Sequence, residues 1–349
     1  MKSTSSIAIV GIGGIFPHAP NPATLWDIVN SATDTTEEPP AGRWALPLEE
    51  AYAPDKGEAD RVYSRRACFV DQQSIQLDYT RLNIGEDLVT QLDPVFQLLL
   101  HAGTQAFFDA VVTPEQRERI GVIAGNLALP TDTSARLAQD YLGRTLSEQV
   151  LGHHVAPSGT EAINLFITGL PAAVLAQALG LGGTCFTLDA ACASSLYALK
   201  LAVEELRSGR ADVMLAGGVA RPDSLYTQMG FSQLRALSPT GTCAPFDRNG
   251  DGLVVGEGAG MVVLKRTADA VHSGDHIYAT IEGIGLSNDI GGSLLAPTSE
   301  GQLRAMRAAY AEAGWNPRDV EYIECHATGT PVGDAVEVES LRQLWTQTD

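Results

Sequence analysis

One stretch of the sequence decides the fold: Thr184-Cys185-Phe186-Thr187-Leu188-Asp189-Ala190-Ala191-Cys192-Ala193-Ser194-Ser195-Leu196-Tyr197-Ala198-Leu199-Lys200. It predicts a strand at 184–189, a tight turn of small residues, and a helix at 194–208. The helix is indicated by apolar residues at helical spacing, which predict one buried stripe: Leu196, Leu199, Val203 and Leu206. Cys192 falls in the turn, just before the helix. This is the arrangement of a nucleophile elbow with sulfur in place of a serine oxygen.

The position of Cys192 favours a reactive thiol. A helix N-terminus stabilises negative charge, so we expect a lowered thiol pKa and a larger thiolate fraction. A thiolate attacks thioesters and forms an acyl-enzyme, which divides one difficult step into two easier ones. The alternative is a structural cysteine packed in a turn of small residues, because unpaired cysteine is often buried. The strand, turn and helix around Cys192 favour the nucleophile.

The same alternation of strand and helix recurs along the chain. Strands are predicted at 7–13, 121–125, 184–189, 213–218, 260–265, 277–283 and 322–325. Helices are predicted at 22–30, 93–110, 134–143, 171–179, 194–208, 299–313 and 334–345. Most of the strands lack polar alternation, as expected of central strands covered on both faces. The pattern predicts a mixed α/β layered fold.

A second segment contains residues that could take part in catalysis: Glu324-Cys325-His326-Ala327-Thr328-Gly329-Thr330-Pro331-Val332-Gly333-Asp334. The strand predicted at 322–325 delivers His326 to a loop, and Asp334 is well placed to cap the next helix. Histidine can donate a hydrogen bond to a developing enolate or oxyanion near neutral pH. A structural histidine is the alternative. A metal site made by Cys192, Cys325 and His326 is disfavoured, because neighbouring side chains point opposite ways on a strand.

Composition excludes several classes of protein. The 349 residues contain 23 Lys and Arg against 42 Asp and Glu, a formal net charge of −19. So acidic a surface should repel bare nucleic acid and anionic membrane. Five cysteines, an odd number without a CxxC pair, argue against a disulfide scaffold and a structural zinc site. We expect a reducing, cytoplasmic location, and we interpret the apolar stretch 167–183 as a buried helix rather than a membrane span.

Two glycine-rich segments imitate cofactor motifs. Residues 11–16 begin like a dinucleotide fingerprint, but Phe16 takes the place of its third glycine. Residues 247–252 begin like a calcium loop, but Gly258 takes the place of the required glutamate. We therefore predict no bound cofactor and no metal.

The two chemical segments together resemble the β-ketoacyl synthases. Asp189-Ala190-Ala191-Cys192-Ala193-Ser194-Ser195 resembles the active-site cysteine motif of that family, and Glu324-Cys325-His326-Ala327-Thr328-Gly329-Thr330 resembles its first catalytic histidine motif. The similarity extends to Leu92-Asp93-Pro94, Gly230-Phe231-Ser232 and Gly256-Glu257-Gly258-Ala259-Gly260. Within this family, the sequence resembles a ketosynthase from a type I polyketide synthase. Gly285-Leu286-Ser287-Asn288-Asp289 looks most like the polyunsaturated-fatty-acid synthase branch.

The resemblance implies a reaction and a role for each matching residue. Cys192 would accept an acyl group, and His326 would stabilise the carbanion formed when a malonyl thioester loses carbon dioxide. Attack of that carbanion on the acyl-cysteine would release a β-ketoacyl thioester, a decarboxylative Claisen condensation. Thr328 and Thr330 match positions that hydrogen-bond the pantetheine arm. The implied partner is an acyl carrier protein, which bears the phosphopantetheine and presents the malonyl and acyl thioesters.

The resemblance also implies a fold and an assembly. The family has the thiolase-like fold, two related α/β halves in αβαβα layers, usually as a homodimer. We expect residues 1–266 to form the N-terminal half with the nucleophile. Residues 267–349 would begin the C-terminal half with the first catalytic histidine.

One departure from the family pattern affects the expected activity. The family's second catalytic histidine, its lysine and its Gly-rich loop follow the first histidine motif, and 349 − 326 = 23 residues remain after His326. We expect the second half to be incomplete, with acylation at Cys192 but inefficient condensation. Two alternatives stay open: a non-catalytic truncated ketosynthase that acts as a scaffold or dimerisation piece, and a thiolase-type acyltransferase that condenses acetyl thioesters.

Overall fold

The computed structural model describes residues 6–152, 159, 161–293 and 296–346. In these ranges the strands are β1 (Ile7–Ile15), β2 (Ile120–Asn126), β3 (Cys185–Leu188), β4 (Val213–Ala220), β5 (Gly258–Arg266) and β6 (Ala279–Ile281). The α-helices there are α1 (Pro22–Asn30), α2 (Leu48–Ala51), α3 (Glu86–Val89), α4 (Pro94–Asp109), α5 (Asp132–Ala138), α6 (Arg144–Leu146), α7 (Pro171–Leu179), α8 (Ser194–Arg207), α9 (Ser224–Gln233), α10 (Thr267–Ser273), α11 (Ser299–Ala313) and α12 (Pro331–Thr346). The π-helical turns Gln139–Gly143 and Ser147–Leu151 flank α6.

The structure confirms most predicted elements and corrects two. The helices predicted at 22–30, 171–179 and 299–313 have those bounds. The strand predicted at 322–325 is wrong: no described strand pairs with this segment, and Tyr322 is 77% exposed. A strand needs a neighbour to take up its backbone hydrogen bonds. Helix α12 begins at Pro331, so Asp334 lies inside its first turn rather than at the cap.

By its internal contacts the chain divides into two compact units. The first comprises Met1–Thr35, Phe69–Ser224 and Gly256–Thr280. Among the described residues its strands form one sheet in the order β3-β2-β4-β5-β1-β6. Strand β2 pairs in parallel with β3 and β4, whereas β5 is antiparallel to β4 and β1. Every residue of β2 is buried, as expected of a strand covered on both faces.

Helices cover both faces of this sheet. Helices α4 and α7 pack on one side in the main hydrophobic core, and α8 packs across β2 and β4 from the other side. Close packing of α4 depends on glycines in β1: a Cβ at Gly13 would lie 2.1 Å from the carbonyl oxygen of Ala102. The predicted α/β layering is therefore observed in this unit.

The second unit comprises Thr36–Cys68, Leu225–Val255 and Ile281–Asp349. It contains α2, most of α9, α11 and α12, and α11 packs against α12. One small core joins residues from distant parts of its sequence: Trp44, Ala51, Val62 and Leu225. The buried Tyr63 hydroxyl donates to the carbonyl oxygen of Leu237 at 2.9 Å. These contacts join two sequence-distant segments of the unit, Thr36–Cys68 and Leu225–Val255.

Candidate active site

The predicted elbow is present between β3 and α8. Ala191, immediately before Cys192, has a φ of +51°. Positive φ is uncommon for a residue with a side chain and is often found at functional sites. The first turn of α8 has no side-chain cap at Ala193. The exposed Cys192 thus lies beside a helix N-terminus whose partial positive charge no capping side chain offsets.

Side chains on both sides of the turn hold the elbow in place. The Asp189 carboxylate accepts the backbone N–H groups of Ala191 and Ala128, each at 2.9 Å. The buried Ser194 hydroxyl accepts the N–H of Ala190 at 2.8 Å and donates to the Ala191 carbonyl oxygen at 2.6 Å. These bonds fix the strained backbone before the thiol.

Helix α8 lies unusually close to the sheet at its first turn. A Cβ at Gly125 in β2 would lie 2.7 Å from the Cβ of Ser194 and 2.9 Å from the nitrogen of Ser195. In β4, a Cβ at Gly218 would lie 3.4 Å from the Cβ of Ser195. Two glycines in neighbouring strands therefore set the height of the elbow above the sheet.

The close approach of α8 to the sheet explains why one residue of the predicted buried stripe is exposed. The buried residues of α8 are mostly small: Ser194, Ala198, Ala202, Val203 and Leu206. Leu196, predicted to be buried, is 56% exposed. Only small side chains fit between the first turns of α8 and the glycines of the sheet, so Ala198 takes the buried position.

Cys192 lines a cavity of about 440 Å³ formed within the first unit. Its wall is made by the ends of β2, β4 and β5 and includes Asn126, Gly218 and Glu257. The Glu257 carboxylate accepts the backbone N–H of Val70 at 3.1 Å. The volume lies in the range of sites that hold small organic ligands.

The other cysteines differ from Cys192 in exposure and charge. All five cysteines lie within the described ranges and none of them is in a disulfide; of these five, Cys192 and Cys243 are exposed. Burial raises the pKa of the Cys185 thiol to about 11. Burial, and then the carboxylates of Glu337 and Glu324, raise the pKa of the Cys325 thiol. Cys185 and Cys325 are therefore poor nucleophiles near neutral pH.

The histidine segment forms a rigid loop at the start of α12 in the second unit. The exposed His326 donates its backbone N–H to the Glu337 carboxylate at 2.7 Å, and Ala327 donates its own at 3.0 Å. Ala327 has a φ of +50° and Gly329 a φ of +76°. One glutamate on the helix therefore holds two successive backbone groups of a strained turn.

Asp334 fixes the rest of this loop. Its carboxylate accepts the N–H of Gly329 at 3.1 Å and that of Phe246 at 2.7 Å. The hydroxyl oxygens of Thr328 and Thr330 lie 2.8 Å apart. The structure thus brings His326, Thr328 and Thr330 together on one loop. Glu337 was not among the residues predicted from the sequence, although its spacing from Asp334 puts both carboxylates on one face of the helix.

Neither a metal-binding cluster nor a membrane-spanning helix is found among the described residues. No group of three or more His, Cys, Asp or Glu side chains among them could hold a metal ion. None of the described helices is long and apolar enough to cross a membrane.

Comparison with known families identifies the chain. The model of the β-ketoacyl synthase N-terminal domain matches residues 4–270, and the model of the C-terminal domain matches 278–349. The chain belongs to the β-ketoacyl synthase family. Members of this family are condensing enzymes of the acyltransferase type.

Relatives of the chain include large polyketide synthases. The chain is 34% identical to the mycoketide-CoA synthase of Mycobacterium tuberculosis, over 99% of this chain and 8% of that protein. It is 32% identical to the polyketide synthase PksL of Bacillus subtilis, over 99% of this chain and 7% of that protein. This β-ketoacyl synthase chain therefore corresponds to a small part of each relative.

Solved structures give the same family and confirm the predicted thiolase-like fold. The PfaC keto synthase-chain length factor is 39% identical with a TM-score of 0.89, over 98% of this chain and 38% of that one. The ketosynthase from module 6 of the bacillaene synthase of Bacillus subtilis is 29% identical with a TM-score of 0.76, over 99% and 55%. The predicted resemblance to type I polyketide synthase ketosynthases is confirmed.

Proposed function

We propose that this β-ketoacyl synthase chain carries out the acyl-loading and condensing chemistry of polyketide or fatty acid chain elongation, with Cys192 as the nucleophile. The observation that carries the proposal is the elbow: an exposed thiol after a strained turn, beside an uncapped helix N-terminus, in the wall of a cavity of about 440 Å³. A thiolate there is stabilised by the partial positive charge of the helix.

In the loading step, the Cys192 sulfur attacks the carbonyl carbon of an acyl thioester. A carbon–sulfur bond to the enzyme forms, the bond to the donor thiol breaks, and the donor leaves as a thiolate that takes up a proton. The backbone N–H of Cys192 would supply half of an oxyanion hole for the tetrahedral intermediate. We propose an acyl carrier protein with a phosphopantetheine arm as the donor.

In the condensing step, a malonyl thioester loses carbon dioxide by cleavage of a carbon–carbon bond. We propose that His326 donates a hydrogen bond to the enolate oxygen that results. The enolate carbon then attacks the acyl-Cys192 carbonyl, the carbon–sulfur bond breaks, and a β-ketoacyl thioester leaves while Cys192 returns to the thiolate. Thr328 and Thr330 would hydrogen-bond the pantetheine arm. The rigid loop held by Glu337 and Asp334 supports this assignment.

We also propose the assembly and the division of the chain expected from the sequence. Strand β3 is at one edge of its sheet, and Phe186 on it is 37% exposed, which supports a homodimer in which a second copy covers this edge. A monomeric mass in sedimentation of the full chain would contradict the dimer. The matches at 4–270 and 278–349 support a boundary between the two family halves near residue 266.

Acyl loading is tested by intact-protein mass after incubation with an acyl N-acetylcysteamine thioester. We expect one added acyl group, which disappears in Cys192→Ala because the nucleophilic sulfur is gone. Cys243→Ala is the matched control, since Cys243 is also exposed but lies outside a strand–turn–helix elbow. Its adduct should be unchanged.

The same experiment separates the alternatives. An adduct that persists in Cys192→Ala contradicts Cys192 as the nucleophile, because another residue is then acylated. The absence of any adduct favours the scaffold role. If the chain condenses acetyl but not malonyl thioesters, the thiolase-type reaction is correct instead.

A further inference from the structure

A strained aromatic residue lies beside the loop of His326. Phe246 has a φ of +58°, although it carries a bulky side chain. A positive φ is a genuine outlier for a bulky residue and persists only where the surrounding structure enforces it. Residues held in this way cluster at sites that bind ligands or catalyse reactions, so the conformation of Phe246 points to a function.

A buried carboxylate holds Phe246 against the loop of His326. Asp334 is 8% exposed; one of its oxygens accepts the backbone N–H of Phe246 at 2.7 Å, and the other accepts that of Gly329 at 3.1 Å. The two backbone nitrogens are therefore at most about 8 Å apart. A Cβ at Gly329 would also lie 3.8 Å from the backbone nitrogen of Ala244, so the two loops are in direct contact.

The threonine hydroxyls of the same loop lie next to this carboxylate. A Cβ at Gly333, the residue before Asp334, would lie 2.6 Å from the Thr330 Oγ1 and 3.3 Å from the Thr328 Oγ1. Both hydroxyls belong to the proposed pantetheine site, and they lie one residue away from the carboxylate that holds Phe246. Phe246 is therefore within reach of a ligand that binds the two hydroxyls.

Apolar side chains beside these hydroxyls are open to solvent. Phe246 is 46% exposed, and Val332, which precedes Gly333, is 52% exposed. Covering such groups with the hydrocarbon of a ligand is favourable. Exposed hydrocarbon next to hydroxyl groups forms a surface that suits an amphipathic ligand, one with both apolar and hydrogen-bonding parts.

We propose that Phe246 is a specificity-determining residue whose ring packs against the hydrocarbon of the pantetheine arm while Thr328 and Thr330 hydrogen-bond its amides. This inference rests on the proposed function, in which a pantetheine thioester delivers the acyl group to Cys192. The pantetheine arm carries amide groups and a branched hydrocarbon, so it is amphipathic. N-acetylcysteamine has the amide next to the thiol but lacks the branched hydrocarbon. Phe246 therefore favours the long donor over the short one.

The test compares octanoyl pantetheine with octanoyl N-acetylcysteamine as donors, and the rate of loading of Cys192 is followed by intact-protein mass. We expect the wild type to prefer the pantetheine donor. Phe246→Ala should reduce the ratio of the two kcat/KM values by roughly 5- to 10-fold, as the loss of one aromatic contact allows. The loss should be in KM for the pantetheine donor, because the ring binds substrate and transition state alike. Phe246→Leu, which keeps an apolar side chain, should restore most of the preference.

A glycine variant separates the ring from the backbone of Phe246. Phe246→Gly keeps the N–H for Asp334 and adopts a positive φ without strain, but it lacks the ring. It should therefore lose the preference as Phe246→Ala does. Trp315→Ala is the matched control, since Trp315 is also exposed and in the same unit but lies after α11. Its preference should equal that of the wild type.

Four outcomes decide the role of Phe246. A preference that survives in Phe246→Gly overturns the proposal, and so does a Phe246→Leu variant that behaves like Phe246→Ala. A wild type that loads from both donors with equal efficiency contradicts the role of Phe246 and leaves the function of Cys192 intact. A wild type that takes up an acyl group from neither donor contradicts the proposed function of Cys192, and this inference with it.

Discussion

At the scale of single residues, Glu337 holds the loop of His326 in place, although it lies outside the histidine motif. A carboxylate that accepts two successive backbone N–H groups, from His326 and Ala327, fixes a turn that has a positive φ at Ala327. Hydrogen bonds to a charged acceptor are stronger than those to a neutral one. The orientation of the His326 backbone therefore depends on a side chain eleven residues further along the chain.

We predict that Glu337→Ala increases amide hydrogen exchange in residues 326–330 by at least about tenfold, because two hydrogen bonds of the loop are lost. Glu337→Gln, which keeps one acceptor oxygen, should have an intermediate effect. Exchange measured by mass spectrometry on peptides of the full chain checks this. Glu339→Ala is the control on the same helix, since Glu339 binds Arg342 and Gln343 instead. Unchanged exchange in Glu337→Ala would show that other contacts hold the turn.

The sequence identified candidate residues at this scale by type and neighbourhood. Cys192 followed from its position before a predicted helix, and the structure has the elbow that this prediction required. The roles of Cys192, His326, Thr328 and Thr330 remain predictions. Glu337 was not found from the sequence, because its partners are backbone N–H groups that only the folded turn brings near.

At the scale of elements, the contact between β2 and α8 sets the position of the Cys192 thiol relative to the sheet. Gly125 of β2 faces Ser194 and Ser195 at the first turn of α8, and no side chain fits between them. The helix can approach because the strand has a hydrogen in place of a methyl group. The height of the elbow is therefore set by a glycine that is distant in sequence.

We predict that Gly125→Ala lowers the free energy of unfolding by about 1–3 kcal/mol, because its Cβ would overlap the helix backbone. Loading of Cys192 should also slow, since the elbow must shift. Denaturant unfolding and intact-mass loading measure both effects. Gly230→Ala in α9 is the control: its Cβ meets nothing within 4 Å, and alanine should stabilise that helix by up to about 1 kcal/mol. Equal stability of Gly125→Ala and wild type would refute the close-packing argument.

Most elements could be predicted because their apolar spacing is local information. The helices at 22–30, 171–179 and 299–313 begin at Pro or Ser after a turn and needed no knowledge of neighbours. The segment 322–325 has the composition of a strand, yet no described strand lies beside it. Strand formation depends on a partner, which the local sequence does not specify.

At the scale of the whole molecule, one buried ion pair ties together three parts of the first unit. The side chains of Lys265 in β5 and Asp275 are 1% and 0% exposed, and the Lys265 Nζ lies 2.6 Å from the Asp275 carboxylate. Lys265 also donates to the carbonyl oxygen of Val111, and Asp275 accepts the N–H of Val111 at 2.8 Å. A strand, the turn after α10 and the loop after α4 therefore meet at one charge pair.

We predict that Lys265→Met lowers the free energy of unfolding by about 3–5 kcal/mol, because it leaves the Asp275 carboxylate buried without its cation. Arg342→Met is the control, since the Arg342–Glu339 pair is exposed, and its unfolding midpoint should equal that of the wild type. Chemical unfolding followed by fluorescence compares the variants. If Lys265→Met unfolds at the wild-type denaturant concentration, the pair does not stabilise this unit.

The sequence by itself determined the α/β class, the family, most helices and the residues able to do chemistry, because apolar period, turn composition and short motifs are written locally along the chain. The tertiary structure alone decided which of those residues are exposed, which are strained and which are paired. Cys185 and Cys192 both lie in the stretch 184–200, but only burial separates an inert thiol from an accessible one. Lys265 in a predicted strand could not be recognised as a buried charge, because desolvation depends on what folding places around a group.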